Sequence, residues 1–177
     1  MNNQEVKANL GSQIQAIGTI LSAIAASPSP YLNEKELDTI DLWGNVLQAS
    51  GNALVADSEE TFTLDKLGNI IQSTGNSTII AGSLLDVEEK TLEILSIQGN
   101  LLQALGGAAS FADALGQKPS LENLYGVYGN LLQTIGNSLQ ALAVRITNKE
   151  KSTDINFTGS WIQAVGSVLS AIGQSKS

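Results

Sequence analysis

Aliphatic and amide side chains alternate along this chain with the period of an α-helix, in a unit that occurs six times. Each unit begins with a glycine, has a glutamine four residues later and has a second glycine seven residues later. The first glycines are Gly11, Gly44, Gly68, Gly99, Gly129 and Gly159, and the second are Gly18, Gly51, Gly75, Gly106, Gly136 and Gly166. A period near 30 residues predicts stacked supersecondary units of one kind.

The apolar positions within each unit indicate a helix. The third, sixth and tenth residues after the first glycine are mostly aliphatic, as in Ile162, Val165 and Leu169. At about 100° per residue these positions fall on one side of a helix. The opposite side carries amides and hydroxyls, and Leu, Ala and Gln are good helix formers. The unit is therefore predicted to be an amphipathic helix without charge.

The fold class predicted from these units is all-α, with about six amphipathic helices packed as an antiparallel bundle or array. We expect the whole chain, residues 1–177, to form a single helical-repeat domain. Pro28 and Pro30 should stop the first helix, while Asn33 with Glu36 resembles a capping box for the second. The expected helices are 3–26, 33–57, 60–84, 87–106, 120–148 and 154–174, with a short extra turn at 108–115.

A β structure is the competing interpretation, because Gly-Asn between apolar runs, as at Gly136, is a permitted hairpin turn. Strands favour strict alternation and β-branched or aromatic residues. These runs instead pair adjacent aliphatic residues such as Leu101 and Leu102, and they are rich in Ala and Gln. The composition therefore favours helices.

The twelve repeated glycines are predicted to be helix-packing residues. A glycine inside a helix costs about 0.5–1 kcal/mol relative to alanine, so its repetition calls for a compensating gain. Close approach of neighbouring helices supplies that gain. The alternative is that the glycines are flexible points at which the helices bend.

The amide side of the units is the candidate interaction surface. In a single-layer bundle it should face outward, where it could meet a second copy of the protein, another protein, a glycan or a hydrated surface. Repetition inherited from an ancestral unit and a buried network of amide hydrogen bonds are the alternatives. The candidate residues are Gln15, Gln48, Gln72, Gln103, Gln133, Gln163, Asn45, Asn69, Asn100 and Asn130.

Charge is scarce and unevenly placed. Only 15% of the residues are charged, and the formal net charge is −8, which disfavours nucleic acid as a partner. None of the 26 charged residues lies within the six units of thirteen residues that start at the first glycines. Soluble amphipathic helices usually place Lys and Glu on their exposed side. The charge-free units therefore indicate a surface for self-association or for another protein.

Membrane insertion is the second hypothesis for the charge-free units. Uncharged runs of 26 residues between Lys7 and Glu34, and of 22 between Glu122 and Arg145, are long enough to cross hydrocarbon. Their amides and hydroxyls would be costly in lipid unless they faced one another or a water-filled lumen. We therefore expect a conditional, surface-lying or pore-forming state only as the alternative.

The residues for common catalytic chemistry are missing from this sequence. It has no Cys and no His, which removes the usual nucleophile–base triads and zinc sites. The carboxylates near Asp57 and near Asp86 lack the spacing of a calcium loop and lie where helices begin. No glycine-rich phosphate loop occurs. We expect a non-enzymatic protein with no catalytic residues, no metal and no cofactor.

The N-terminal segment makes a poor signal peptide, because Lys7 stands beside Glu5 and the apolar stretch after it is interrupted by polar residues. The expected location is cytoplasmic. Association with a spore, or export without a cleaved signal peptide, is the alternative.

The segments GNLLQALG, GNLLQTIGN and GSWIQAVGSVLSAIG resemble short repetitive proteins of unknown function from Gram-positive spore-forming bacteria. The resemblance covers most of the chain through the repeat. It implies a bacterial, helical protein and carries over no catalytic or binding residue. The leading hypothesis is a structural or interaction protein that binds itself or a protein partner.

Overall fold

The chain folds into six α-helices, as the repeats predict. A computed structural model describes residues 2–176. The helices are α1 (Asn3–Ala25), α2 (Glu34–Ser58), α3 (Leu64–Leu84), α4 (Glu89–Gly116), α5 (Leu121–Val144) and α6 (Lys149–Gln174). No strand occurs among the described residues, so the all-α prediction is confirmed.

Local capping fixes where most helices begin. Asn33 and Glu36 form the predicted capping box at the start of α2, and Asn2 and Glu5 form a second one at the start of α1. Thr63, Ser120 and Asn148 each accept a hydrogen bond at the start of α3, α5 and α6 from the backbone N–H three residues on. These oxygens satisfy amide groups that have no partner within the helix.

Several predicted boundaries were wrong. Helix α4 runs on to Gly116 without the predicted break before 108–115, because the paired Gly106 and Gly107 are accommodated by neighbouring helices. Helix α3 begins at Leu64 and not at residue 60, because Thr63 provides its N-cap. Helix α5 ends at Val144 and not at 148, and helix α6 begins at Lys149 and not at 154.

The six helices form a closed ring of antiparallel neighbours. Each helix packs against the next one in the chain, and α6 packs against α1. The closest packing lies within three hairpins, α1–α2, α3–α4 and α5–α6. Within residues 2–176, helices that are not neighbours in the ring have no Cα atoms within 8 Å of each other. The centre of the ring is therefore filled by side chains alone.

Glycine pairs hold each hairpin together at two levels. The first glycine of one helix faces the second glycine of its partner, as Gly136 faces Gly159 and Gly129 faces Gly166 in α5–α6. At each of the twelve repeated glycines, an added Cβ atom would come within 3.0 Å of the partner glycine's carbonyl oxygen. The backbones thus touch where only glycine fits, which is the close approach that the spacing predicts.

The orientation of the helices is the reverse of the one predicted. All six repeat glutamines are buried, with 1–6% of their surface exposed, whereas Ile17, Leu105 and Val165 of the aliphatic side are more than half exposed. The glutamine follows the glycine by about 40° around the helix, so rotating the glycines toward the partner turns the glutamine inward. The expectation of an outward amide side is wrong, and the aliphatic residues do not share an interior.

Candidate functional site

The glutamines meet on the axis of the ring and bind one another. Gln15 on α1 donates to Gln133 on α5 at 2.7 Å. Gln163 on α6 donates to Gln48 on α2 at 2.9 Å and to Gln103 on α4 at 3.1 Å. None of these bonds joins neighbouring helices, so the amides link the three hairpins across the centre. This is the buried network that the sequence left as an alternative.

The remaining glutamine and the asparagines complete the polar interior. Gln72 on α3 is also buried. Asn45, Asn69 and Asn100 are buried and donate to a carbonyl of their own helix at 3.0 Å, and Asn130 is half-buried. No partner protein can reach the buried amides in this fold. The prediction that they form an interaction surface is therefore wrong.

A second level of polar residues lies one turn from the glutamines. Thr19 on α1 and Ser167 on α6 share a hydrogen bond of 2.9 Å. Asn52, Asn76 and Asn137 are buried in the equivalent position of their helices. Neither amide atom of Asn137 has a hydrogen-bond partner among the described residues. A buried amide without partners costs about 1–3 kcal/mol, so the ring interior is polar beyond what its own hydrogen bonds satisfy.

Two cavities open at opposite ends of the ring, with the glutamines between them. End A is formed by the first turns of α1, α3 and α5, and its cavity of about 470 Å³ is lined by residues that include Gln15, Asp65 and Asp113. End B is formed by the first turns of α2, α4 and α6. Its cavity of about 450 Å³ is lined by residues that include Asp41 and Gln163. The interior is thus two polar vestibules closed from each other by amide hydrogen bonds.

Carboxylates at the vestibules are perturbed by burial. Burial raises the pKa of Asp65 at end A and of Asp41 at end B above the ordinary value. Burial also raises the pKa of Glu59, in the loop at end A, to about 7, and the negative charges of Asp65 and Asp113 add to this rise. Desolvation and charge repulsion therefore favour the protonated forms of Asp65 and Glu59 at end A.

The aliphatic side of the helices lies on the outside of the ring, and we call its exposed hydrophobic side chains the outer belt. Every helix contributes at least one large exposed hydrophobic side chain, and none of the six units contains a charge. The outer belt consists of Leu10, Ile17, Ile24, Trp43, Ile70, Leu101, Leu105, Tyr128, Ile135, Leu142, Trp161 and Val165. Exposed apolar surface of this extent usually marks a contact with another molecule or with lipid.

An apolar groove lies between α5 and α6 beside Trp161 and Val165 of the outer belt. It is lined by Leu132, Phe157, Trp161 and Val165, among others, and has a volume of about 390 Å³. The indole Nε1 of Trp161 donates to the Ser27 hydroxyl at 3.0 Å, which fixes the ring against the loop after α1. Both tryptophans of the chain lie on this outer side: Trp43 is 58% exposed and Trp161 is 39% exposed.

Charged residues are confined to the two ends of the ring. All of them lie in the outer turns of the helices or in the loops, because the repeat units are uncharged. At end A, Lys7 on α1 forms an ion pair of 2.5 Å with Asp57 on α2, and it lowers the pKa of that carboxyl. The molecule thus has two charged ends, an uncharged circumference with exposed hydrophobic side chains, and a polar axis.

Within the part of the chain that the structure describes, no helix combines the length and the hydropathy of a membrane-spanning helix. The same residues contain no group of three or more acidic side chains arranged to hold a metal ion.

Comparison with known proteins gives a family without an assigned activity. No curated protein and no solved structure matches the chain. Residues 6–171 match a family of unknown function, DUF6944, so the match spans all six repeats. It carries no information on source, and the bacterial, spore-forming origin stays a prediction. The chain belongs to the DUF6944 family, whose function is unknown.

Proposed function

We propose that this protein is a non-enzymatic binding protein that acts through its outer belt. The observation that carries the proposal is the reversed orientation of the helices, with amides on the axis and large hydrophobic side chains exposed on all six helices. Fully burying an exposed side chain of this size contributes about 1.5–3 kcal/mol, and a side chain that is already half buried contributes about half of that. Side chains such as Ile17, Leu105 and Val165 thus provide a large driving force for contact.

The interior supports a scaffold role over a catalytic one. Its glutamines are engaged in hydrogen bonds that hold the hairpins together, so they serve the fold. Because the outer belt carries no charge, its contacts gain from apolar burial without leaving an ion unpaired. The proposed activity is therefore binding, with the ring as a rigid support for the outer belt.

The test measures what the outer belt binds in solution. Light scattering after gel filtration, with and without a mild nonionic detergent, should show species larger than 18.5 kDa or bound detergent micelles. The double variant Leu105→Glu with Val165→Glu should reduce both by at least tenfold, because each new carboxylate would be buried in the contact. Thr91→Glu adds the same kind of charge on α4 outside the belt and is the matched control.

A wild-type protein that stays monomeric at high concentration and takes up no detergent would contradict the proposal. Because the substituted side chains are exposed, the helical circular dichroism signal should be unchanged in all variants. The same assay thus separates loss of binding from loss of folding.

A further inference from the structure

The outer belt has members on all six helices of the ring, and this distribution restricts what can occupy it. A protein partner needs one patch on one side of the molecule. Here exposed hydrophobic side chains occur on all six helices, from Ile17 on α1 to Val165 on α6, while charges are kept to the two ends. An occupant that surrounds the ring and ends at two polar boundaries has the geometry of a lipid bilayer.

The uncharged length of each helix agrees with the thickness of a bilayer. The uncharged stretches within the helices are 8–25, 42–56, 67–84, 94–112, 123–144 and 155–174. At about 1.5 Å per residue they measure about 22–33 Å, against about 30 Å for a hydrocarbon core. The shortest stretch begins after Asp41. The carboxylate of Asp41 lines the end B cavity, so it also faces the interior of the ring.

Four hydroxyl groups on the outside of the ring donate hydrogen bonds within their own helices. Thr74, Ser77 and Thr78 on α3, and Ser138 on α5, each donate to the carbonyl four residues earlier at 2.7–2.9 Å. Helices in lipid accommodate serine and threonine by means of such bonds, because no water is present to accept them. These outward polar side chains therefore do not prevent contact with hydrocarbon.

The hydropathy of single helices is consistent with a ring whose two sides meet different surroundings. Hydropathy averaged along a helix counts the inward glutamines and asparagines together with the outward aliphatic residues. Lipid around a closed ring meets only the outward side, and the amides on the axis bind one another, as Gln163 does with Gln48 and Gln103. Polar groups are tolerated at membrane depth where they face the interior of a bundle.

We propose that the occupant of the outer belt is the hydrocarbon interior of a lipid bilayer, which the ring spans with its amide axis perpendicular to the membrane. The inference rests on the proposed function, since it names the partner of the same surface. Net charge −8 disfavours anionic headgroups, so the expected bilayer is one of neutral lipid. Contact between outer belts of two copies is the competing outcome.

The first experiment measures partition into vesicles of neutral phosphatidylcholine. The full chain is mixed with lipid in mild detergent, the detergent is removed, and the vesicles are floated on a density gradient and washed with alkaline carbonate. The wild type and the Thr91→Glu control should float with the vesicles and resist the wash. The Leu105→Glu, Val165→Glu variant should show at least a tenfold smaller bound fraction. Leu105→Asn, which adds no charge, should show an intermediate loss.

The second experiment measures depth with the two native tryptophans. Along the helix, Trp161 lies about 2 Å from the midpoint between Gly159 and Gly166, and Trp43 lies about 7 Å from the midpoint between Gly44 and Gly51. In vesicles of lipids brominated along the acyl chain, bromines near the chain end should quench Trp161 more strongly than Trp43. The variants Trp43→Phe and Trp161→Phe isolate each signal.

Each outcome decides between occupants. Flotation with deep quenching of Trp161 supports a ring that spans the bilayer, whereas equal and shallow quenching of both tryptophans would overturn it in favour of helices lying on the surface. Failure of the wild type to float, together with oligomers that the Leu105→Glu, Val165→Glu variant disrupts, would overturn the lipid inference and leave the proposed function standing. Failure in both assays would overturn both.

Discussion

Replacing Gly136 by alanine should destabilise the α5–α6 hairpin, although alanine is the better helix former. The added Cβ atom would lie 2.6 Å from the carbonyl oxygen of Gly159 and 2.6 Å from the backbone nitrogen of Gln163. Both atoms belong to the backbone of α6, so no side-chain rotation relieves the clash. The two helices must move apart, and the neighbouring contact of Gly129 with Gly166 loosens with them.

The magnitude follows from two opposing effects. Alanine should gain about 0.5–1 kcal/mol through helix propensity. Overpacking a close contact costs about 1–3 kcal/mol, and displacement of a whole helix places this substitution at the upper end. We expect a net loss of about 1–2 kcal/mol in the free energy of unfolding.

The control is Gly126→Ala on the same helix. No atom lies within 4 Å of a Cβ atom added there, so only the propensity gain of about 0.5–1 kcal/mol applies. Urea unfolding followed by circular dichroism at 222 nm measures both variants, and their midpoints should shift in opposite directions. Equal stabilisation by the two alanines would refute the close approach of the helix backbones at Gly136.

Two further predictions concern the interior and end A. The free energy of unfolding should fall as pH rises from about 5 to about 8, because the raised pKa of Glu59 makes the folded state bind its proton more tightly than the unfolded state does. Glu59→Gln should remove part of this pH dependence and stabilise the protein at pH 8 by on the order of 1 kcal/mol, a value reduced because solvent screens a half-exposed group. Urea titrations at several pH values measure the effect, and an unchanged pH dependence in the variant would contradict the prediction. Gln163→Leu should cost about 2–4 kcal/mol, since Gln48 and Gln103 lose a donor and Gln140 loses an acceptor on the axis. The exposed Gln13→Leu should change stability by less than about 0.5 kcal/mol, and a similar small effect at Gln163 in the same thermal or urea assay would argue against the amide network.

The helices and their antiparallel order could be predicted from the sequence, whereas their rotation was predicted wrongly. The repeat period fixed the six helices, and residues such as Asn33 and Ser120 fixed where two of them begin. The error came from assigning the aliphatic side to the interior. Gly11 and Gly18 lie on the same side of α1 as Gln15, so contact between glycines already required buried glutamines.

Other features of the candidate site depend on how whole helices cross. The burial that raises the pKa of Glu59 depends on where α3 begins and α4 ends relative to the loop that carries it. The unpartnered amide of Asn137 depends on distances across the ring axis. Neither quantity is encoded in local spacing, because residues far apart in the chain determine both. The outer belt could have been predicted as the side of each helix opposite the glycines, once the glycine side was known to face inward.

The three hairpins also suggest an order of events during folding. The glycine contacts join helices that are consecutive in the chain, as α5 and α6 are through Gly136 and Gly159, so each hairpin closes a short loop. Docking of finished hairpins then brings the distant glutamines together, and the boundary between α1 and α6, the least extensively packed of the six, closes without a connecting loop. Transient opening of the native protein should therefore begin at this boundary, and amide hydrogen exchange would detect it there first.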